Sequence, residues 1–119
     1  MKFIPLAHHN AAMVVLPSQV IMSQTATLRM AIIRQLESGS HRLVMDLSQV
    51  EYIDSSGLSI LISVLKKAKQ LGGDVVLLSP TPGVRALIEL TRLHQIFTLF
   101  ENREAACEYI CSSAAAKAS

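Results

Sequence analysis

The sequence predicts an α/β fold: a single domain in which a small mixed β-sheet is flanked by helices, in the order ββαβαβαβα. Its 119 residues are enough for one compact hydrophobic core. Hydrophobic residues make up 50% of the chain and aromatic residues only 4%, so we expect an aliphatic core of helices packed on a sheet. Short apolar runs alternate with helical segments, which favours parallel strands joined by right-handed crossovers.

The first two strands are predicted at Lys2–Leu6 and Met13–Leu16, and the segment "AHHNAA" between them is typical of a hairpin loop. Pro5 cannot donate a backbone hydrogen bond, so the first strand is expected at an edge of the sheet or to end early. Pro17 and Ser18 then interrupt the second strand.

The first helix is predicted from a cap at Ser23 to about Ser38, and Gly39 fits the position just past its end. The compact apolar run "RLVMDL", Arg42–Leu47, suits a central strand. In the first helix, apolar residues recur at the spacing of one buried face, namely Leu28, Ile32 and Leu36.

The second helix is predicted from near Ser55 to the segment "LGG", and it has a narrow polar arc opposite a broad apolar face. The segment Asp74–Ser79 is the next buried strand, and Pro82 fits the first position of a third helix. A last strand is predicted at Ile96–Phe100.

Asn102 is predicted to cap a final helix that runs to about Cys111. The remaining segment, "SSAAAKAS", has no apolar periodicity. We therefore predict one domain over residues 1–112 and a frayed tail over residues 113–119.

Composition argues against several classes of protein. A net charge of +2 with few aromatic residues makes direct nucleic-acid binding a weak interpretation. No apolar run is long enough to cross a bilayer, and the N-terminal "MKFIPLAHHN" lacks the apolar stretch of a signal peptide, so we expect a cytoplasmic protein without membrane insertion. Cys107 and Cys111 are expected to be reduced, and no metal site or cofactor is predicted.

The segment "VEYIDSSGLSIL", Val50–Leu61, places an acid and two hydroxyls where an apolar run meets a helix. The more common explanation is structural: Asp54 or Ser55 caps the helix, and Gly57 lets its first turn lie close to a neighbour. A larger side chain at Gly57 is expected to find exposed space at the helix start and to leave the fold largely intact. A serine hydrolase is a remote alternative, because the G-x-S-x-G motif is absent and no histidine lies in a recognisable catalytic motif. The third interpretation is a serine that a kinase modifies, which adds about −1.5 to −2 charges at the helix start.

The stretch from Leu43 to Phe100 closely resembles the STAS domain of bacterial anti-sigma factor antagonists. The resemblance rests on a strand that ends in "DLS", the motif "YIDSSGL", a helix that closes at "GG" and a later apolar segment that ends in "IF". It covers about half of the chain, and the flanking elements fit the same order. The resemblance implies a STAS-type fold and a regulatory protein that is not an enzyme.

In that family, the first serine after the acid is phosphorylated by a partner that is both anti-sigma factor and kinase of the GHKL ATPase type. The resemblance assigns this role to Ser55 and places Asp54 as the preceding acid. The unphosphorylated antagonist binds the anti-sigma factor and frees the sigma factor, and a phosphatase restores the active form. The predicted partner surface comprises Met22, Asp54, Ser55, Ser56, Gly57, Leu58 and Ser59.

One segment departs from the family. Members commonly carry G-x-L-D after the second strand, whereas Leu16–Leu28 contains neither the glycine nor the aspartate. This departure favours the main alternative, a STAS domain that serves as an accessory subunit of a transport or sensory assembly without phosphorylation. Met22 and Met30 border this segment, and burial remains an alternative to partner contact for both, whereas Met13 and Met45 are predicted to fill the core.

Overall fold

The computed structural model describes residues 2–6 and 10–118, with side chains as far as Cys111. Along this part of the chain, three strands precede the first helix, each later α-helix follows one or two further strands, and a short 3-10 helix, Leu93–Gln95, precedes the last strand. The strands are β1 (Lys2–Pro5), β2 (Ala11–Val15), β3 (Gln19–Val20), β4 (Arg42–Asp46), β5 (Tyr52–Ile53), β6 (Asp74–Leu78) and β7 (Thr98–Phe100). The helices are α1 (Met22–Glu37), α2 (Ser55–Gln70), α3 (Pro82–Leu90) and α4 (Arg103–Ala118).

Within the described residues, five strands form the main sheet in the spatial order β1-β2-β4-β6-β7. β1 pairs antiparallel with β2, and the other neighbours are parallel. Each parallel crossover contains a helix, which is the connection that parallel neighbours need. The predicted mixed sheet is therefore confirmed, with the proline-containing β1 at its edge. Residues 7–9 of the predicted hairpin loop lie outside the described residues.

Both faces of the main sheet are covered, because successive side chains of a strand point to opposite sides. On β4, Leu43 and Met45 face the larger core, which α1, α2 and α3 complete. Val44 faces a smaller core that α4 covers. Met13 and Met45 are fully buried, which confirms their predicted role in the core. The predicted apolar face of α1 is also buried, at Leu28, Ile32 and Leu36.

Two short strands are missing from the predicted order. Gln19–Val20 and Tyr52–Ile53 pair in parallel as a separate two-stranded sheet. A strand of two residues is too short to show an alternation of apolar and polar residues, so its sequence carries no strand pattern. This small sheet lies directly before α1 and α2 along the chain, and it therefore sets where both helices begin.

The predicted ends of the central helices are confirmed. Gly39 and Gly72 have φ values of +123° and +80°, the left-handed conformation that commonly follows a helix. Pro82 is the first residue of α3, as predicted.

The predicted cap of α1 is wrong. The helix begins at Met22, one residue before Ser23, and its N-cap is Ile21, which offers no side-chain acceptor. The acceptor for the first N–H of α1 comes instead from Asp54, which is 32 residues away from Met22 in the sequence.

The last helix begins as predicted, because the Asn102 Oδ1 atom accepts the Ala105 N–H at 3.0 Å. It runs to Ala118, beyond the predicted end near Cys111, in keeping with the high helix propensity of its alanines. The division of the chain at residue 112 and the frayed tail stay predictions.

Candidate functional site

The carboxylate of Asp54 caps two helices at once. As N-cap of α2, Asp54 accepts the Gly57 N–H through Oδ1 at 2.9 Å. Its Oδ2 atom accepts the N–H of Met22, the first residue of α1, also at 2.9 Å. One side chain thus satisfies a backbone donor of each helix and fixes the two N-termini next to each other.

These hydrogen bonds favour the ionised form of the carboxyl group. The backbone N–H of Gly57, followed by that of Met22, lowers the pKa of Asp54 below its ordinary value of 3.8. The N-terminal ends of α1 and α2 carry partial positive charge, which acts in the same direction. Asp54 is therefore a fixed negative charge at neutral pH.

Gly57 lets the first turn of α2 lie against β3. A Cβ atom added at this glycine would lie 2.2 Å from the carbonyl oxygen of Val20 and 2.6 Å from Cγ1 of Ile53. The Asp54 N–H also bonds the Val20 oxygen, at 3.3 Å. The structural interpretation of Gly57 as a close-approach residue is confirmed, whereas our expectation of exposed space for a larger side chain is wrong.

The three serines at this end of α2 have different surroundings. Ser55 occupies the first helical position and is exposed, whereas Ser56 is half-buried and lines a hollow between α1 and α2. Ser59 is exposed, and its hydroxyl donates to the Ser55 carbonyl oxygen at 3.0 Å. Ser55 is thus the more accessible of the two hydroxyls that follow Asp54.

The residues predicted to contact a partner divide into surface and interior positions. Met22 is 73% exposed, so the burial alternative for this side chain is wrong. Asp54, Ser55, Ser56 and Ser59 are exposed or half-buried beside it. Gly57 and Leu58 are buried, so they support this surface from beneath and do not present side chains to a partner.

Sequence reasoning missed Tyr52. This aromatic residue is 64% exposed on β5, two residues before Asp54 along the chain. Its position inside the "YIDSSGL" motif, in a chain with only two tyrosines, could have drawn attention to it.

The segment Leu16–Leu28, which lacks the family's G-x-L-D, forms β3 and the first turns of α1. No side chain of this segment caps α1, since its N-cap Ile21 makes no such bond. Asp54 fulfils that role from 32 positions farther along the chain than Met22. The altered segment is therefore tied directly to the "DSSG" junction.

The structure does not bring His41 to the serines. The His41 carbonyl oxygen accepts the Asp74 N–H at 3.1 Å, so this histidine lies beyond the C-terminal end of α2. Ser55 begins that helix, and a helix of 16 residues is about 24 Å long. His8 and His9 lie outside the described residues.

Cys107 and Cys111 are free thiols packed at the edge of the smaller core. Burial raises the pKa of the Cys107 thiol, which favours the protonated and less reactive form. Within residues 2–6 and 10–118, no three histidine, cysteine, aspartate or glutamate side chains form a group that could hold a metal ion.

Comparison with known families supports the same fold. The family model of the STAS domain matches residues 4–106. The chain belongs to the STAS domain family. The predicted STAS-type α/β fold is thereby confirmed.

A curated relative of this STAS domain is a protein of Bordetella bronchiseptica named as the anti-sigma factor antagonist BtrV. The two are 38% identical over 72 residues. The match covers 60% of this chain and 62% of the relative, which is less than two thirds of the relative's length.

Solved structures of anti-sigma factor antagonists share the fold of this STAS domain. That from Thermotoga maritima has a TM-score of 0.83 at 22% identity and matches 92% of each chain. Unphosphorylated SpoIIAA has a TM-score of 0.78 at 17% identity, over 92% of this chain and 96% of its own. Phosphorylated SpoIIAA, from Bacillus, has a TM-score of 0.71 at 15% identity, over 92% and 99%.

Among the described residues of this STAS domain, no helix is both long enough and apolar enough to span a bilayer.

Proposed function

We propose that this STAS domain is an anti-sigma factor antagonist whose binding to its partner is switched by phosphorylation of Ser55. Its relatives support the proposal, because BtrV is named as such an antagonist and SpoIIAA, whose fold the chain shares, occurs in a phosphorylated form. The partner is an anti-sigma factor that is also a serine kinase of the GHKL ATPase type, and a phosphatase reverses the modification. The domain itself is not an enzyme, and it acts in the cytoplasm.

The observation that carries the proposal is that Asp54 and Ser55 have different roles at the start of α2. Asp54 already caps α2, so the Ser55 hydroxyl is not needed for the cap and is exposed at the first helical position. A phosphate there lies at the positive end of the helix dipole, which tolerates its charge. The modification therefore leaves the fold intact.

The same phosphate would disturb a docked partner. Two exposed apolar residues lie near Asp54. The Met22 N–H donates a hydrogen bond to the Asp54 carboxylate, and Tyr52 precedes Asp54 by two residues in the chain. A partner that covers them also covers Ser55 and removes water from around it. A charge of about −1.5 to −2 beside ionised Asp54 is then poorly screened, which weakens binding.

The second candidate is an accessory subunit of a transport or sensory assembly that is not phosphorylated. The missing G-x-L-D motif in Leu16–Leu28 favours it, because this segment directly adjoins the Asp54 junction. In that case the same surface binds a constant partner and has no covalent switch.

The direct experiment combines the purified protein with its cognate GHKL-type kinase and magnesium ATP, followed by peptide mass spectrometry. We expect one phosphate, on Ser55. Ser55→Ala should abolish incorporation, whereas Ser56→Ala, the matched control at the neighbouring half-buried hydroxyl, should retain it. Phosphate on another residue, or none with a kinase that demonstrably binds the protein, would show that the assignment of Ser55 is wrong.

A further inference from the structure

A groove separates α1 from α2 on the outer side of the helical layer. Its main part has a volume of about 540 Å³, and a smaller hollow of about 280 Å³ adjoins it towards the start of α2. The two share Arg29 and Ser63, so they form one continuous depression. Its lining extends along α2 from Ser56 to Gln70, a distance of about 21 Å at 1.5 Å per residue.

The groove is strongly basic. The main part is lined by four cationic side chains and by one acidic side chain, Glu37, which gives a net charge of +3. Glu37 pairs with Lys67 at 3.5 Å. No carboxylate in the described part of the chain lies within ion-pair distance of Arg29, Arg34 or Lys66. Three positive charges therefore lack an internal partner along one groove.

The groove also has an apolar component. Met30 and Ile33 line it from α1, and Met30 is 55% exposed. The burial alternative for Met30 is therefore wrong. An apolar strip with unpaired cations beside it suits a ligand that combines an apolar face with negative charge.

We propose that this groove binds an acidic amphipathic segment of a protein partner. An amphipathic helix lays its apolar face in a groove and leaves its charged face at the rim, and about 21 Å accommodates roughly four turns. The concave shape favours such a segment over a flat anionic membrane surface. The inference rests on the proposed function, because the segment belongs to the partner that docks at Ser55, and the groove begins at the adjacent Ser56.

The fit of the groove to an acidic amphipathic helix is tested with a fluorescein-labelled peptide of 14 residues. The peptide has leucines at helical spacing on one face and glutamates elsewhere. Fluorescence anisotropy measures its affinity for the unphosphorylated protein. We expect the double variant Arg29→Gln/Lys66→Gln to bind at least about tenfold more weakly. The matched control, Lys2→Gln/Arg92→Gln, removes two exposed charges that lie outside the groove and have no ion-pair partner among the described residues, and it should bind within about twofold of wild type.

The apolar component has its own test. Met30→Ser should weaken binding about threefold, since it removes an exposed apolar side chain from the groove without changing charge. A peptide with lysines in place of the glutamates should not bind.

Several results would overturn the inference. These are no binding of the glutamate peptide, equal losses in the groove and control variants, equal binding of the lysine peptide, or wild-type affinity in Met30→Ser. Tighter binding to vesicles of phosphatidylglycerol, lost in the groove variant, would assign the groove to a membrane instead. The peptide measurement uses no kinase, so its failure is distinguishable from failure of phosphorylation at Ser55.

Discussion

The carboxylate of Asp54 lies between the first turns of two helices, and each of its oxygens accepts a backbone N–H at 2.9 Å. The electrostatics of both helix starts favour a negative charge at this point. Ser55 follows immediately, with a hydroxyl that the cap does not use. A phosphate on Ser55 would therefore enter surroundings that already accommodate an anion, although it must share them with Asp54.

Replacing Asp54 with asparagine should lower the melting temperature by about 4 °C at pH 7, because an amide offers one acceptor oxygen to two N–H donors. The lowered folded-state pKa means that the carboxylate stabilises the fold above its ordinary value of 3.8. This contribution is lost as the pH falls through the folded-state pKa. The difference between wild type and Asp54→Asn should therefore shrink below pH 3.8, as followed by circular dichroism during heating.

Glu51→Gln is the control for this measurement, since it removes an exposed carboxylate three residues before Asp54. Its melting temperature should stay close to that of wild type at pH 7. A difference between wild type and Asp54→Asn that stays constant into acid would contradict the role assigned to the ionised carboxylate.

Gly57→Ala should destabilise the protein by about 1–3 kcal/mol, because the new Cβ would meet the Val20 carbonyl oxygen at 2.2 Å. Gly83→Ala is the matched control. Gly83 also lies in the first turn of a helix, and a Cβ there meets nothing within 4 Å. Urea denaturation should show Gly83→Ala to be neutral or up to about 1 kcal/mol more stable. Equal effects of the two changes would mean that α2 and β3 can separate easily.

Among the secondary-structure elements, the sequence predicted the helices and strands that are long enough for their apolar residues to repeat at a regular spacing. The buried face of α1 and the central strand β4 follow from apolar spacing alone. β3 and β5 did not, because two residues show no alternation. The cap of α1 could not be predicted either, since Asp54 lies 32 residues away from Met22 and comes close only after folding. Gly57 was misjudged for the same reason: the neighbour that limits its space, Val20, belongs to one of the missed strands.

The contribution of α4 to the smaller core can be tested by mutation. Ile110 is fully buried there, so Ile110→Ala should cost about 2–5 kcal/mol of stability in urea denaturation. Deletion of residues 113–119, the predicted frayed tail, should cost less than about 1 kcal/mol. A larger loss on deletion than in Ile110→Ala would show that the tail belongs to the domain.

At the scale of the whole molecule, the two layers of helices have different relations to the site. α1 and α2 present Asp54, Ser55 and the basic groove on one side of the main sheet, whereas α4 closes the other side. The sequence motif and the resemblance predicted Ser55 and its neighbours. They did not predict the groove, because Arg29 and Lys66 meet only when α1 packs against α2.

Ser55 is exposed, so water screens a charge added there in the free protein. Such a charge should therefore change partner binding far more than folding. Ser55→Asp should alter the stability of the isolated domain by less than about 1 kcal/mol in urea denaturation. Ser55→Ala, which keeps the surface neutral, is the control. A larger loss of stability confined to Ser55→Asp would mean that the fold itself senses the charge.

Titration calorimetry of these two variants with the cognate anti-sigma factor shows whether a charge on Ser55 controls partner binding. A partner that covers the site prevents water from screening the added charge, so Ser55→Asp should bind about thirtyfold more weakly than wild type, or about 2 kcal/mol. Ser55→Ala should bind nearly as well as wild type. Equal affinities of the Asp and Ala variants would contradict the account, because Ser55 would then lie outside the interface and the accessory-subunit function would be favoured.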